Sequence, residues 1–268
     1  YESDCMANLL QRNGYEVVEE LEVADIYIIN TCAVTSEAEK KSRQFVAKCL
    51  KLNGEAKIII CGCASEKNAD QFKTKNNVFS IIGTEGKEKI LEYINNSIKQ
   101  KNELKTVYES PCNPQKSSTR EHIKIQDGCN NFCSYCIIPY LRGRSRSRDL
   151  ESIVEEAKVI AGRSKEIVLT GIDISSYKVD GQPALPLLLS KLKDVNALIR
   201  LGSLEVNVIT EEFMSVLVSM PNFAPHFHLS LQSGDDEILK KMNRHYTSQE
   251  FYEKVQLIRK YFPLANIT

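Results

Sequence analysis

Short apolar runs alternating with longer amphipathic stretches constrain this chain more than any other feature it has. ADIYIIN (24–30), AKIIIC (56–61) and VFSIIG (78–83) have the length and continuous apolar character of strands covered on both faces. SEAEKKSRQFVAKCL (36–50) and EGKEKILEYINNSIKQ (85–100) have helical spacing and acidic starts, which suit a helix N-terminus. Strands alternating with helices predict a mostly parallel sheet with helices on its faces. The rhythm lapses in ELKTVYESPCNPQKSST (103–119), where Pro, Ser and Asn gather, and that stretch reads as a linker. It resumes with HIKIQ (122–126), EIVLT (166–170), LIRLGS (198–203) and HFHLSL (226–231), each followed by a helical stretch such as DLESIVEEAKVIAG or SQEFYEKVQLIRKY. Four such units make part of a barrel and do not close one. The expected fold is α/β: an open parallel sheet domain over 1–102, a linker over 103–119 and a partial (β/α) barrel over 120–268.

Composition narrows the functional classes. Of 268 residues, 35 are Lys or Arg and 35 are Asp or Glu, so any nucleic-acid contact must come from a local patch. At 42% hydrophobic and 26% charged the chain is an ordinary globular one, not a disordered or low-complexity one. No apolar run approaches the ~18 residues of a membrane span, and YESDCMANLL lacks the layout of a secretory signal. A cytoplasmic protein without membrane contact is expected. The chain opens at Tyr1 without an initiator Met, and LANIT (264–268) reads as the start of another strand, so residues are expected to be missing at both ends.

Nine cysteines in such a chain are better read as ligands or core residues than as a disulfide framework. Cys129, Cys133 and Cys136 form C-x3-C-x2-C on a loop just past a strand. Zinc sites favour paired C-x2-C units and a fourth ligand, and no second pair or nearby His is present. Three thiolates suit a [4Fe-4S] cluster with one open iron, the alternatives being a lone zinc knuckle or packed cysteines. Cys49 and Cys61 fall within apolar patterns and read as core thiols, while Cys112 lies in the linker. Cys32, Cys63, Gly171, Glu205 and Gln232 all follow strand ends, the edge where parallel α/β folds place ligands.

CNNFCSYC resembles the cluster motif of radical S-adenosylmethionine (SAM) enzymes, in which SAM chelates the open iron and is cleaved reductively to a 5′-deoxyadenosyl radical. The resemblance implies a partial barrel of the radical SAM type. INTCAVTSEAEKKSRQ, ICGCASE, LTGIDISSY, RLGSLEV and HLSLQSGDDEILKKMNRHYT follow in order the pattern of the methylthiotransferases, which replace C–H by C–S–CH3. NTCAVTSEAEKKSR is most similar to the subgroup modifying N6-threonylcarbamoyladenosine at tRNA position 37; other subgroups act on isopentenyladenosine or on a ribosomal protein. The resemblance implies two [4Fe-4S] clusters, two SAM molecules, the tRNA anticodon stem-loop as partner, and an electron donor such as flavodoxin or ferredoxin. It makes Cys32 and Cys63 ligands of the auxiliary cluster, whose third ligand in the family lies upstream of YES; Cys5 is the alternative within this sequence. It places Tyr135 near the adenine of SAM and Glu205 near the SAM amino or ribose groups. It also implies a small C-terminal RNA-binding β-barrel, which is expected to be missing from this chain.

Weaker expectations surround these motifs. Ser230, Gln232 and Ser233 offer neutral hydrogen-bond partners to SAM, and Arg244 offers a fork donor to its carboxylate. Asp173 follows a strand end and is a candidate for contact with substrate or sulfur. His226 and His228 share one strand face and read as packing residues. Arg142, Arg144, Arg146 and Arg148 raise the stretch 120–148 to six Lys or Arg against two acids, a candidate phosphate-binding patch or else a solvated, ion-paired loop. A non-catalytic metal-containing RNA-binding protein is the reading from another class.

Overall fold

The structure, a computed structural model, describes residues 1–18, 20–73, 77–96 and 119–268. These divide into two units. One takes in the described residues through 96 together with Tyr140–Gly143, and the other residues 119–139 and Arg144–Thr268. The expected linker, and Cys112 with it, falls almost wholly outside the described residues.

The first unit is an open sheet of three parallel strands, β1 (Ile26–Thr31), β2 (Lys57–Gly62) and β3 (Val78–Ile81), in that spatial order. The central β2 is covered on both faces, so Ile58, Ile59, Ile60 and Cys61 are all buried, as a continuous apolar run requires. Helix α1 (Glu2–Arg12), which the sequence reading does not anticipate, packs Met6 and Leu10 against Ile59, Cys61 and Ile90. Helix α2 (Ser36–Leu52) begins where Thr35 accepts a hydrogen bond from the Ala38 N–H (3.1 Å), and it buries Val46 and Cys49 one turn apart. The helix expected over 85–100 starts late. Gly86 is left-handed (φ 82°), a 3₁₀ turn Lys87–Lys89 follows, and regular helix runs only over Ile90–Asn95 before the described residues end.

The second unit carries a series of parallel strands. β4 (Arg120–Lys124) pairs with Glu166–Thr170, which pairs with Leu198–Leu201; Ser203–Leu204 pairs with His226–Leu229, and that with Asn266–Ile267. The chain over 198–204 therefore changes neighbours midway. The change falls at Gly202, whose N–H donates to Leu169 O (2.9 Å) and where a Cβ would come within 3.1 Å of that carbonyl. Ile123, Ile167, Leu169, Ile199 and Phe227 face the helices and are buried, whereas the alternate positions Arg120, Lys124, Glu166, Arg200, His226 and His228 are polar. The helices Leu150–Ala161, Glu211–Val218 and Ser248–Tyr261 are each started by a side-chain cap, from Asp149, Thr210 and Thr247. The Thr247 cap is reciprocal, with Glu250 returning a bond to the Thr247 N–H (2.7 Å). Among the described residues the strands do not close into a barrel, in agreement with the partial barrel expected. No helix among them is long and apolar enough to cross a membrane.

Candidate active site: thiols at the strand ends

In the first unit, two candidate ligands are brought level by strand register. Thr31 and Gly62 face each other at the ends of β1 and β2, so Cys32 and Cys63 leave adjacent strands at the same height. Gly62 has φ 98°, and a Cβ there would lie 2.4 Å from Thr31 O, so the approach of the two strand ends requires glycine. The Thr31 hydroxyl donates to Cys61 O (2.6 Å) and accepts from the Ser65 N–H (3.2 Å), tying the Cys32 turn to helix α3 (Cys63–Lys67). Cys32 is exposed and Cys63 buried. Cys61 points into the core, where burial pushes its thiol up to about 11, and Cys5 is buried inside α1. Cys32 and Cys63 thus leave the same sheet edge, where the two auxiliary-cluster ligands are expected.

In the second unit, residues 129–136 follow β4 as a tightly bonded loop. Buried Gln126 donates to Gly128 O (2.7 Å) and accepts from the Asp173 N–H (2.7 Å), fixing the entrance of the loop to the end of the neighbouring strand. The Asn131 N–H points at Cys129 Sγ (3.4 Å), and the Cys136 N–H closes a turn onto Cys133 O (2.9 Å). The Cys129 thiol is pushed up to about 11 by burial, against the Asn131 N–H and with the help of Asp173, Cys133 and Cys136. A Cys129 thiol whose ionisation is opposed in this way needs a cationic partner to exist as a thiolate, which an iron–sulfur cluster would supply. Among the described residues no three acid, imidazole or thiol groups converge as a single metal ion demands. Three thiols on one loop are a donor set that suits a cluster, in which each thiolate takes a different iron.

Around the loop stand the residues expected to meet SAM. Arg244 pairs with Glu205, donates to Ser230 O (3.3 Å) and points Nη1 at Cys133 Sγ (3.3 Å). Burial works to lower its pKa, but the bonds to Glu205 and Cys133 outweigh it and hold the guanidinium charged. Glu205 follows Ser203–Leu204 and is seated by its N–H on Ser175 Oγ (2.9 Å). Gln232 is exposed and left-handed (φ 65°), and Ser233 accepts from the Asp235 N–H (3.1 Å). Tyr135, in the last spacer of the motif, is 53% exposed. Asp173 is buried; Oδ2 accepts from Asn131 Nδ2 (3.3 Å), while Oδ1 has no protein partner. Burial, with Glu205, raises its pKa. His226 and His228 both meet the Thr268 hydroxyl (3.2 and 3.0 Å).

The four arginines do not share an exposed face. Arg146 and Arg148 are buried, paired with Asp127 (3.4 Å) and Glu156, and Arg142 pairs with Glu2 (3.0 Å). Only Arg144 is exposed, its guanidinium 4.3 Å from the Phe132 ring centroid. Sequence reasoning missed Asn131, Gln126 and Asn243 as organisers of the cysteine loop. Nothing in their local pattern marks them, because their partners are remote in sequence or sit on backbone carbonyls.

A partial parallel barrel with a three-cysteine loop past its first strand defines a radical SAM fold. The Radical SAM superfamily model matches residues 123–268, and that of the uncharacterised protein family UPF0004 matches residues 1–83. The cobalamin-dependent S-adenosylmethionine radical enzyme OxsB, in its apo form, superposes with a TM-score of 0.63 at 12% identity, over 97% of this chain and 41% of that one. The whole chain aligns with the threonylcarbamoyladenosine tRNA methylthiotransferases MtaB of Aquifex aeolicus (35% identical) and Bacillus subtilis (34%), spanning 68% and 62% of their lengths. It also aligns throughout with the tRNA-2-methylthio-N(6)-dimethylallyladenosine synthase of Thermodesulfovibrio yellowstonii (33%, 63% of that protein). The chain belongs to the radical SAM methylthiotransferase family.

Proposed function

We propose that the protein inserts a methylthio group at C2 of N6-threonylcarbamoyladenosine at tRNA position 37. The observation that carries this reading is the placing of Cys129, Cys133 and Cys136 at a parallel-strand edge with the Glu205–Arg244 pair against Cys133. The higher identity to threonylcarbamoyladenosine enzymes than to the dimethylallyladenosine enzyme supports this substrate.

On this reading Cys129, Cys133 and Cys136 hold one [4Fe-4S] cluster, and Cys32 and Cys63 belong to a second. The cluster and SAM, when bound, supply an electron and a carbon radical able to take hydrogen from an unactivated C–H bond. The chain's own residues do the rest by position. Arg244 and Glu205 present a cation and an anion to the zwitterionic end of SAM, and Tyr135 offers an exposed ring to its adenine. Asp173 Oδ1 is a buried acceptor awaiting a donor from SAM or substrate. The target base lies in an anticodon loop, where an unpaired base can be presented to a pocket. Arg144 is the exposed cation of the arginine run available to phosphate. An electron donor such as flavodoxin or ferredoxin completes the system.

The test is mass spectrometry of tRNA nucleosides from cells with and without the full-length gene. The 2-methylthio form of threonylcarbamoyladenosine is expected to vanish on deletion and to return with the gene but not with a Cys129→Ala copy. Loss of the dimethylallyladenosine product instead would move the substrate to that nucleoside.

A further inference from the structure

The turn Met242–Arg244, which follows the helix Asp236–Lys241, bonds to the cysteine loop at each of its residues. Met242 O accepts from the Ser134 N–H (3.1 Å), and Arg244 Nη1 reaches Cys133 Sγ (3.3 Å). Between them, Asn243 Nδ2 donates to both Asn131 O (2.8 Å) and Phe132 O (3.1 Å). Asn243 and Phe132 are both left-handed, with φ of 57° and 48°. Asparagine tolerates that region, but for a bulky residue such as phenylalanine it is an outlier that surrounding contacts must hold in place. The Asn243 amide bonds to the Phe132 carbonyl, and the Arg144 guanidinium lies over the Phe132 ring.

We propose that Asn243 is a positioning residue for the cluster: with one amide it clamps the carbonyls of Asn131 and Phe132, holding the left-handed bend that sets Cys129 relative to Cys133. The proposal rests on the reading that these thiols carry an iron–sulfur cluster. Cys129 and Cys133 are separated by three residues, so the left-handed bend at Phe132 is one of the few backbone turns that set the direction of one thiol relative to the other. With the bend released, Phe132 relaxes toward an ordinary basin and the thiols must be reordered when the cluster binds. A cluster site organised in advance avoids that ordering cost, which is how residues behind the ligands raise metal affinity. The clamp is made by a neutral donor on neutral acceptors, so it acts on geometry. Arg244, one residue on, acts on the charge of the sulfur.

Three substitutions in the full-length protein separate the donor from the backbone. Asn243→Gly keeps the left-handed conformation and removes the amide; Asn243→Asp keeps the shape and sets a carboxylate against two carbonyls; Asn243→Ala loses both features. Each cluster-free protein is first compared with wild type by circular dichroism and thermal unfolding. Iron and sulfide per chain are then measured after anaerobic reconstitution over a range of iron concentrations. Electron paramagnetic resonance of the reduced cluster follows, with and without SAM. All three variants are expected to need about tenfold or more iron for equal loading, with Asn243→Asp at least as impaired as Asn243→Gly, and to alter the SAM-dependent change in the spectrum. Wild-type loading and spectra for Asn243→Gly and Asn243→Asp, with a defect in Asn243→Ala alone, would overturn the proposal, since backbone conformation would then suffice. Asn243→Gly is the decisive variant if Asn243→Ala does not fold. Failure of the wild type itself to load at Cys129, Cys133 and Cys136, tested beside Cys129→Ala, would remove the underlying reading as well, and is recognised by its independence of residue 243.

Discussion

Arg244 and Glu205 form an ion pair at the end of the strand series, and the same guanidinium points a second nitrogen at the sulfur of Cys133 (3.3 Å). A carboxylate on one strand end is thereby linked through a single side chain to a thiol on another.

That linkage has an electrochemical consequence. A charged N–H donor on a ligating sulfur stabilises the reduced, more negative cluster, so removing it lowers the potential. Arg244→Met is expected to shift the midpoint potential of the reconstituted cluster to more negative values and to weaken SAM binding. Arg244→Lys, which keeps charge but not the fork, falls between. Potentiometric titration of the three proteins is the check, and an unchanged potential in Arg244→Met would remove the bond to Cys133 from the account.

Gly62→Ala places a methyl group 2.4 Å from Thr31 O at a residue with φ 98°. Strain of this kind costs about 1–3 kcal/mol. The substitution is expected to lower the urea midpoint and to reduce iron bound at Cys32 and Cys63, because relief of the clash must part the two strand ends. Gly14, also left-handed but with open space around it, is the control: Gly14→Ala is expected to cost only the backbone term.

Asp173 has a pKa raised by burial and by Glu205. Below the ordinary aspartate range both folded and unfolded states carry the proton and no penalty arises. As pH rises through the elevated folded value, the native state acquires a buried charge and loses stability. Asp173→Asn, which cannot ionise, is therefore expected to be the more stable protein at neutral pH, with an advantage that shrinks as pH falls. Urea unfolding of the cluster-free proteins across acid to neutral pH tests this, and a difference independent of pH would contradict it.

The arginine run divides into framework and surface. Arg148→Met takes the guanidinium from the buried Glu156 carboxylate and from Ser152 Oγ (2.8 Å), and is expected to cost on the order of 3 kcal/mol. Arg144→Ala is expected to cost at most about 1 kcal/mol, through loss of the contact with the Phe132 ring, while lowering tRNA affinity and reducing its salt slope by about 1. Thermal unfolding and filter binding over a range of salt separate the two.

The amino-acid sequence by itself determined the alternation of strands and helices, the positions of the strands, and the three thiols of CNNFCSYC. All are local signals: apolar runs, helical spacing with acidic starts, and ligand spacing are written within a few consecutive residues. Gly62 is legible only in part. Its place beside Cys63 is apparent, but the reason no other residue fits is a carbonyl from another strand. What only the tertiary structure decided is pairing across long separations. It buried Arg146 and Arg148 against Asp127 and Glu156, leaving Arg144 as the exposed cation, because a charge run does not say which of its members has a carboxylate waiting inside. It also set Asn243 against Asn131 and Phe132, and Arg244 against Cys133 and Glu205. Hydrogen bonds to backbone carbonyls and to a thiol leave no periodicity or spacing in the sequence, so those contacts exist only once the strands have brought their ends to one edge.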